Sequence, residues 1–160
     1  MFANESFDFI LFSFNGIDYI PHEDRLIALQ EIKRVCKKGG FFCFSAHNLQ
    51  HVDRILKIEP SANPIRMLWN LSGYLLIRIL NKSIKKLERE KYAIIKDAGH
   101  RFRSRTYYIK PQEQIKQLEE TGYKNIRVYS LSDGQEIVDQ DKLSDTSDGW
   151  LYYLCSTETS

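Results

Sequence analysis

The sequence predicts an α/β protein: two parallel strands joined by a crossover helix, an antiparallel C-terminal hairpin, flanking helices, and an inserted helix and β-ribbon between the halves. Three observations carry this. The apolar runs FDFILFSF (7 to 14) and FFCFS (41 to 45) flank a stretch of helical period, which is a βαβ pattern. Residues 63 to 90 break that alternation with one long helical pattern. The runs from Tyr123 to Leu131 and from Trp150 to Cys155 are aromatic and β-branched, with a Ser-Asp-Gly turn after the first.

Phe7 to Phe14 has strand length without period-two alternation, the pattern of a strand covered on both faces, and ends at Asn15-Gly16. From His22 to Cys36, Leu26, Leu29, Ile32 and Val35 recur at three-residue steps, with Ile27 and Cys36 widening the stripe, so one helical face is buried. Glu23 and Asp24 at its start and Lys33, Arg34, Lys37 and Lys38 near its end match the helix dipole. Gly39-Gly40 is expected to cap this helix with positive φ, and Phe41 to Ser45 follows as a second buried strand. A parallel pair needs cover on both faces, and this helix supplies one. Asn63-Pro64 opens a helix whose apolar positions Leu68, Leu71, Leu75, Ile79, Leu80, Ile84 and Leu87 hold one stripe to about Glu90. Tyr92 to Ile95 and Arg105 to Ile109 read as short strands around a turn at Ala98-Gly99. Pro111 starts an amphipathic helix through Ile115 and Leu118 that Gly122 closes. Tyr123 to Leu131 is a strand, Ser132-Asp133-Gly134 a turn, Asp139 to Asp148 an acidic loop, and Trp150 to Cys155 the last strand.

The 160 residues suffice for one domain with its own core, and 42% hydrophobic with 28% charged residues is a globular balance that excludes a disordered or fibrous chain. Cys36, Cys43 and Cys155 are odd in number and form no Cys-x-x-Cys pair, so reduced thiols and a cytoplasmic location are expected. Glu5 and Asp8 interrupt any signal-peptide pattern, and the apolar run from Met67 to Leu80, cut by Asn70, Ser72 and Arg78, is too short to span a bilayer. The net charge of +2 is uneven: Arg66 to Lys110 carries +9 and the remainder −7. Such a basic block attracts an anionic substrate, nucleic acid or a membrane surface, unless it is only a solvated helix face.

Taken in order, FDFILFSFNGIDYI, ALQEIKRVCKKGGFFCFSAHN, a long insertion, YYIKPQEQIKQLEETGYKNIRVYSLSDGQEI and GWLYYLC resemble the C-terminal half of class I S-adenosylmethionine-dependent methyltransferases. The resemblance implies a partial Rossmann-like sheet of two parallel strands plus an antiparallel hairpin, one domain over 1–160 with residues 48–110 as a lid-like insertion, and S-adenosylmethionine as cofactor. The chain departs from the family in one respect. Its eight glycines include no E/D-x-G-x-G-x-G loop, and Gly39-Gly40 ends a helix instead of opening one, so it cannot cradle a cofactor. The chain is therefore expected to be a fragment without the cofactor-binding half, its strand Phe7 to Phe14 finding another partner, most simply a second copy in a homodimer, or else leaving an aggregation-prone edge.

By this resemblance Ser13, Phe14, Asn15 and Gly16 touch the cofactor's methionine end, although Asn-Gly is also the commonest turn pair. Asp18 and Tyr19 follow in the same loop on the acceptor side. His47, with Ser45 and Asn48, ends the second parallel strand; histidine titrates near neutrality, so His47 is the candidate base for the acceptor's proton, or else a hydrogen-bonded loop histidine. His100, Arg101, Arg103, Tyr107 and Tyr108 in the insertion suit an anionic or planar acceptor, or RNA, and equally a ribbon with tyrosines inside and arginines in water. His47 and His51 lack a third metal ligand, so no metal is expected, and Cys43 between Phe42 and Phe44 is expected to be inert. The function expected is methyl transfer to an acceptor; the rival is a non-enzymatic binding module that retains the sheet.

Overall fold

The computed structural model describes residues 2–52, 58, 60–81, 83–96 and 105–158. In chain order the elements are β1 (Phe7–Phe12), α1 (His22–Val35), β2 (Cys36–Asn48), α2 (Pro64–Leu80), α3 (Ile84–Leu87), β3 (Tyr92–Ile95), β4 (Thr106–Ile109), α4 (Pro111–Thr121), β5 (Lys124–Ser130), α5 (Gln140–Asp145) and β6 (Trp150–Ser156). Short 3-10 turns lie at Gly16–Tyr19 and Leu49–His51.

β2 is the spine of the sheet. Phe41 to Phe44 pair in parallel with Phe9 to Phe12 of β1 on one edge, while β6 runs antiparallel along the other from Phe41 to His47. His47 also pairs with Tyr108, so β4 lies on the edge that β1 uses, beyond the tip of β1. With β3 antiparallel to β4 and β5 antiparallel to β6, the order is β3-β4-β2-β6-β5, with β1 beside β2. The ribbon of the insertion thus extends the main sheet.

Side-chain alternation along these strands separates two faces. One carries Phe42, Phe44, Ala46, Leu151, Tyr153 and Cys155, with Ile10 at its border, and packs against Leu29 of α1, Leu118 of α4 and Tyr123 as the main core. The other carries Phe9, Leu11, Phe41, Cys43, His47 and Trp150. At its β3-β4 end that face is covered by Ile77 of α2 and Leu87 of α3, clustered with Leu49, Val52, Ala93, Ile95 and Tyr108. At its β1 end it is open, with Phe9 and Leu11 more than half exposed.

The expectation that Phe7 to Phe14 is covered on both faces therefore fails within this chain. The strand stops at Phe12, and among the described strands only β2 pairs with it. Gly39-Gly40 is also not the helix cap. α1 ends at Val35, and Cys36 is already extended while its N–H still bonds Ile32 O. The glycines serve a bulge in β2, where the register jumps from Phe7 opposite Cys36 to Phe9 opposite Phe41. Gly39 adopts φ 72° there, and a Cβ on Gly40 would come within 3.0 Å of Cys36 Sγ, Lys37 O and Asp8 O. On α1, Leu29 and Val35 are buried as the period predicts, but Ile27 is exposed and Arg25 is buried instead.

The long helical pattern breaks in two. Asn63 caps α2 as expected, accepting from Ile65 and Arg66 N–H. The helix then ends at Leu80, because the Asn81 side chain accepts from Lys96 N–H (2.8 Å) and donates to Ile77 O (2.9 Å) and Lys96 O (2.8 Å). The stripe Leu68, Leu71, Leu75, Ile79 and Leu80 is exposed; Ile77 is the residue of α2 that is buried. The acidic loop contains α5, capped by Asp139 and holding Leu143 in the main core. α4 ends at Gly122 (φ 89°) as its sequence requires, with Lys33 Nζ bonding the Thr121 carbonyl at 3.0 Å. The turn expected at Ala98-Gly99 lies outside the described residues.

Candidate functional site

Parallel pairing of Phe12 with Phe44 brings the carboxyl ends of β1 and β2 out side by side. Past β1 the chain turns through Phe14 (φ 57°) and Asn15 (φ 52°), consecutive left-handed residues that are not glycine. Each such conformation costs about 1 kcal/mol. The turn throws the Phe14 ring into solvent, 91% exposed, and carries Asn15 inward. There Asn15 N–H donates to Ser45 Oγ at 2.9 Å, tying the tip to β2. Asn15 Nδ2 lies 3.4 Å from His47 Nε2, and Asn15 Oδ1 is buried without a donor among the described residues. An unsatisfied buried acceptor costs roughly 1–3 kcal/mol, which a ligand donor placed there would offset.

The 3-10 turn Gly16–Tyr19 delivers Asp18 against His47. Asp18 Oδ2 accepts from His47 N–H at 2.7 Å and from His47 Nδ1 at 2.8 Å, and Asp18 Oδ1 accepts from Arg25 Nη1 at 2.5 Å. Asp18 and Arg25 are fully buried. The guanidinium also donates to Ile17 O (3.0 Å), Gln114 Oε1 (2.6 Å) and Gln117 Oε1 (3.3 Å), and lies 4.7 Å from the Tyr107 ring centroid. Both Asp18 oxygens are therefore engaged, and removing one partner of such a buried pair costs about 3–5 kcal/mol. Because Asp18 Oδ2 engages Nδ1 and so fixes the ring, Nε2 is the His47 nitrogen that faces the tip of β1, the arrangement of an oriented base. The rings of Tyr108 (4.9 Å), Trp150 (6.2 Å) and Tyr19 (6.5 Å) surround the imidazole, which is 14% exposed.

The fold thus brings Asn15, Asp18, Tyr19, His47 and Tyr108 together. Ser13 and Gly16 lie in the same turn; Ser13 is exposed, and Gly16 packs under Phe12, where a Cβ would approach the ring to 2.7 Å. Asn48 is buried with its amide engaged, accepting from Gln50 N–H and donating to Asp148 O. Tyr107 points to the opposite face of the sheet, its hydroxyl 2.9 Å from His22 Nδ1 and its pKa pushed up chiefly by burial. His100, Arg101 and Arg103 lie outside the described residues. His47 ends a strand while His51 lies in a 3-10 turn, so they share no helix face, and among the described residues no group of three potential ligands could hold a metal ion. Sequence reasoning missed Arg25, Gln114, Gln117 and Trp150. Arg25 had a signal: with Leu29 and Ile32 it holds the i, i+4, i+7 spacing of a buried face.

The model of the methyltransferase domain family matches residues 1–44. Among solved structures, the chain is similar to an S-adenosylmethionine-dependent methyltransferase of Clostridium acetobutylicum (TM-score 0.55, 12% identity, 99% of this chain and 61% of that one). A second from Methanosarcina mazei gives a TM-score of 0.53 at 13% identity, with 99% and 63% covered. A third, the 1,6-didemethyltoxoflavin-N1-methyltransferase of Burkholderia thailandensis with bound 1,6-didemethyltoxoflavin and S-adenosylhomocysteine, gives 0.51 at 10% identity, with 99% and 47% covered. The chain therefore spans less than two thirds of the length of each of these structures. No curated protein matches it in sequence.

Proposed function

From the premise of a class I S-adenosylmethionine-dependent methyltransferase fold, which this chain carries, we propose that it is the acceptor side of a cytosolic enzyme that transfers a methyl group from S-adenosylmethionine. The observation that carries this reading is the Asp18–His47 pair at the joined carboxyl ends of two parallel strands, the side where open α/β sheets take ligands.

The tip of β1 fits the methionine end of the cofactor, because Asn15 Oδ1 is a buried acceptor without a donor among the described residues and the cofactor's ammonium is a donor. Phe14 and Gly16 flank it, and Ser13 opens the turn. The acidic, glycine-rich loop that resembled enzymes use does not occur in this sequence, so residues outside it or a second copy would hold that part of the cofactor. When bound, the cofactor supplies an electrophilic methyl group on a sulfonium. His47 Nε2 would take the proton that an oxygen or nitrogen acceptor gives up on methylation. Asp18 holds the ring in place and stabilises the imidazolium. Tyr19, Tyr108 and Trp150 exclude water, and the basic block of the insertion draws an anionic acceptor.

Calorimetric titration of the 160-residue chain with S-adenosylmethionine tests the reading. Saturable binding near 10 μM, about −7 kcal/mol, weakened by Asn15→Ala, supports it; no heat at millimolar cofactor overturns cofactor binding by this chain alone. With a binding partner or acceptor in hand, His47→Gln is expected to lower transfer by roughly 10²–10⁴-fold while leaving cofactor affinity in place. The second reading, a binding module without catalysis, is favoured by the open outer edge of β1, along which we propose that a second copy pairs.

A further inference from the structure

We propose that the outward face of α2 lies on an anionic phospholipid bilayer. The inference is independent of methyl transfer and begins with the orientation of the helix. Helical spacing places Ile65, Leu68, Trp69, Leu76 and Ile79 on one face, with Ser72 among them donating its hydroxyl to Trp69 O, and Met67, Asn70, Tyr74 and Ile77 on the other. The second, more polar face turns to the protein, where Ile77 joins the cluster of Leu49, Leu87 and Tyr108. The first, more apolar face turns away, with Ile65 80%, Trp69 78% and Ile79 78% exposed. Water-facing helices show the reverse arrangement. A contiguous apolar surface of this kind marks an interaction site.

Charge selects the occupant. The sequence from Ile65 to Leu87 contains no Asp or Glu, while Arg66, Arg78, Lys85 and Lys86 are described there as part of the basic block. On the helical wheel Arg66 and Arg78 border the protein-facing side, well off the centre of the apolar face, and the Arg78 guanidinium lies 5.7 Å from the Tyr74 ring centroid. An apolar face on a helix that carries cations and no acid, with an exposed tryptophan, suits the boundary between acyl chains and anionic headgroups, where long arginine side chains reach phosphate and Trp69 sits at headgroup depth. A second copy meeting the same face would bring two basic helices together with no acid between Ile65 and Leu87 to offset them. RNA would gain no stacking from leucine and isoleucine. Among the described residues no helix is long and apolar enough to cross a membrane, so α2 lies in the plane of the surface.

The test is flotation of the full 160-residue chain with vesicles of phosphatidylcholine alone or mixed with phosphatidylglycerol, at low and at high salt. Binding is expected only to the anionic vesicles, falling as salt rises, with a blue shift of tryptophan emission that Trp69→Phe removes. The double variant Leu68→Glu with Ile79→Glu changes two exposed positions, and is expected to lose at least tenfold in vesicle affinity with an unchanged unfolding midpoint. Absence of flotation at low salt overturns the proposal, as does equal binding to both vesicle types. Light scattering that shows self-association abolished by the same double variant, without vesicle binding, overturns it in favour of a second copy. If the double variant does not fold, the wild-type blue shift and its quenching by bromine-labelled lipid still decide the matter.

Discussion

At Phe14 the chain holds a bulky aromatic in a left-handed conformation and exposes its ring, an arrangement that stability alone does not reward. Phe14→Gly is expected to raise stability by about 1 kcal/mol, read as a higher urea midpoint at unchanged slope, and to weaken cofactor binding in the calorimeter. A midpoint that falls would show that the ring contributes to packing. The thiols give a pH-dependent test. Burial raises the pKa of Cys36, Cys43 and Cys155, with the Asp8 charge adding to the shift at Cys36 and neighbouring cysteines at Cys155. A raised pKa leaves less thiolate at pH 8 than a free cysteine has, so iodoacetamide should modify the native protein at least about tenfold more slowly than the urea-unfolded chain, and its rate should climb only at more alkaline pH. Mass spectrometry of timed samples checks this; rapid native labelling of Cys43 would contradict its expected inertness. Asn15, Asp18 and His47 were legible as neighbours at one end of the sheet because strand ends can be located from apolar runs. Their mutual hydrogen bonds were not legible, since these depend on a turn conformation at Phe14-Asn15 that the residue types do not dictate.

Among the elements, local signals succeeded where the cap and the stripe belong to the same helix. Pro111 with Gly122 bounds α4, and Asn63-Pro64 starts α2. They failed where a distant partner decides. Asn81 stops α2 through Lys96, fifteen residues on, and Gly39-Gly40 serves the approach of β1 instead of the end of α1. Asn81→Ala removes three hydrogen bonds and is expected to cost about 2 kcal/mol, concentrated in the insertion. Hydrogen exchange should show α2 and β3 amides losing protection while β2 and β6 keep theirs; uniform loss across the sheet would mean that the insertion and the main core unfold as one unit.

For the whole molecule, the proposed pairing with a second copy rests on the edge of β1. Its outer edge has no partner among the described strands, and Phe9 and Leu11 are more than half exposed. If a second copy pairs there, the wild-type chain scatters light as a dimer, and Leu11→Lys returns it to a monomer without loss of folded signal, since an edge lysine blocks strand addition. A monomeric wild-type chain at high concentration would refute the pairing. The sequence by itself determined the α/β class, the βαβ unit, the C-terminal hairpin and the placing of His47 and Asn15 at strand ends, because hydrophobic period and helix stops are local properties of the chain. Only the tertiary structure decided that Arg25 is buried to hold Asp18, that β4 continues the edge of β1, and that α2 turns its apolar face outward. Each of these depends on which surface another element has already taken, and a periodic pattern names a face without saying what it meets.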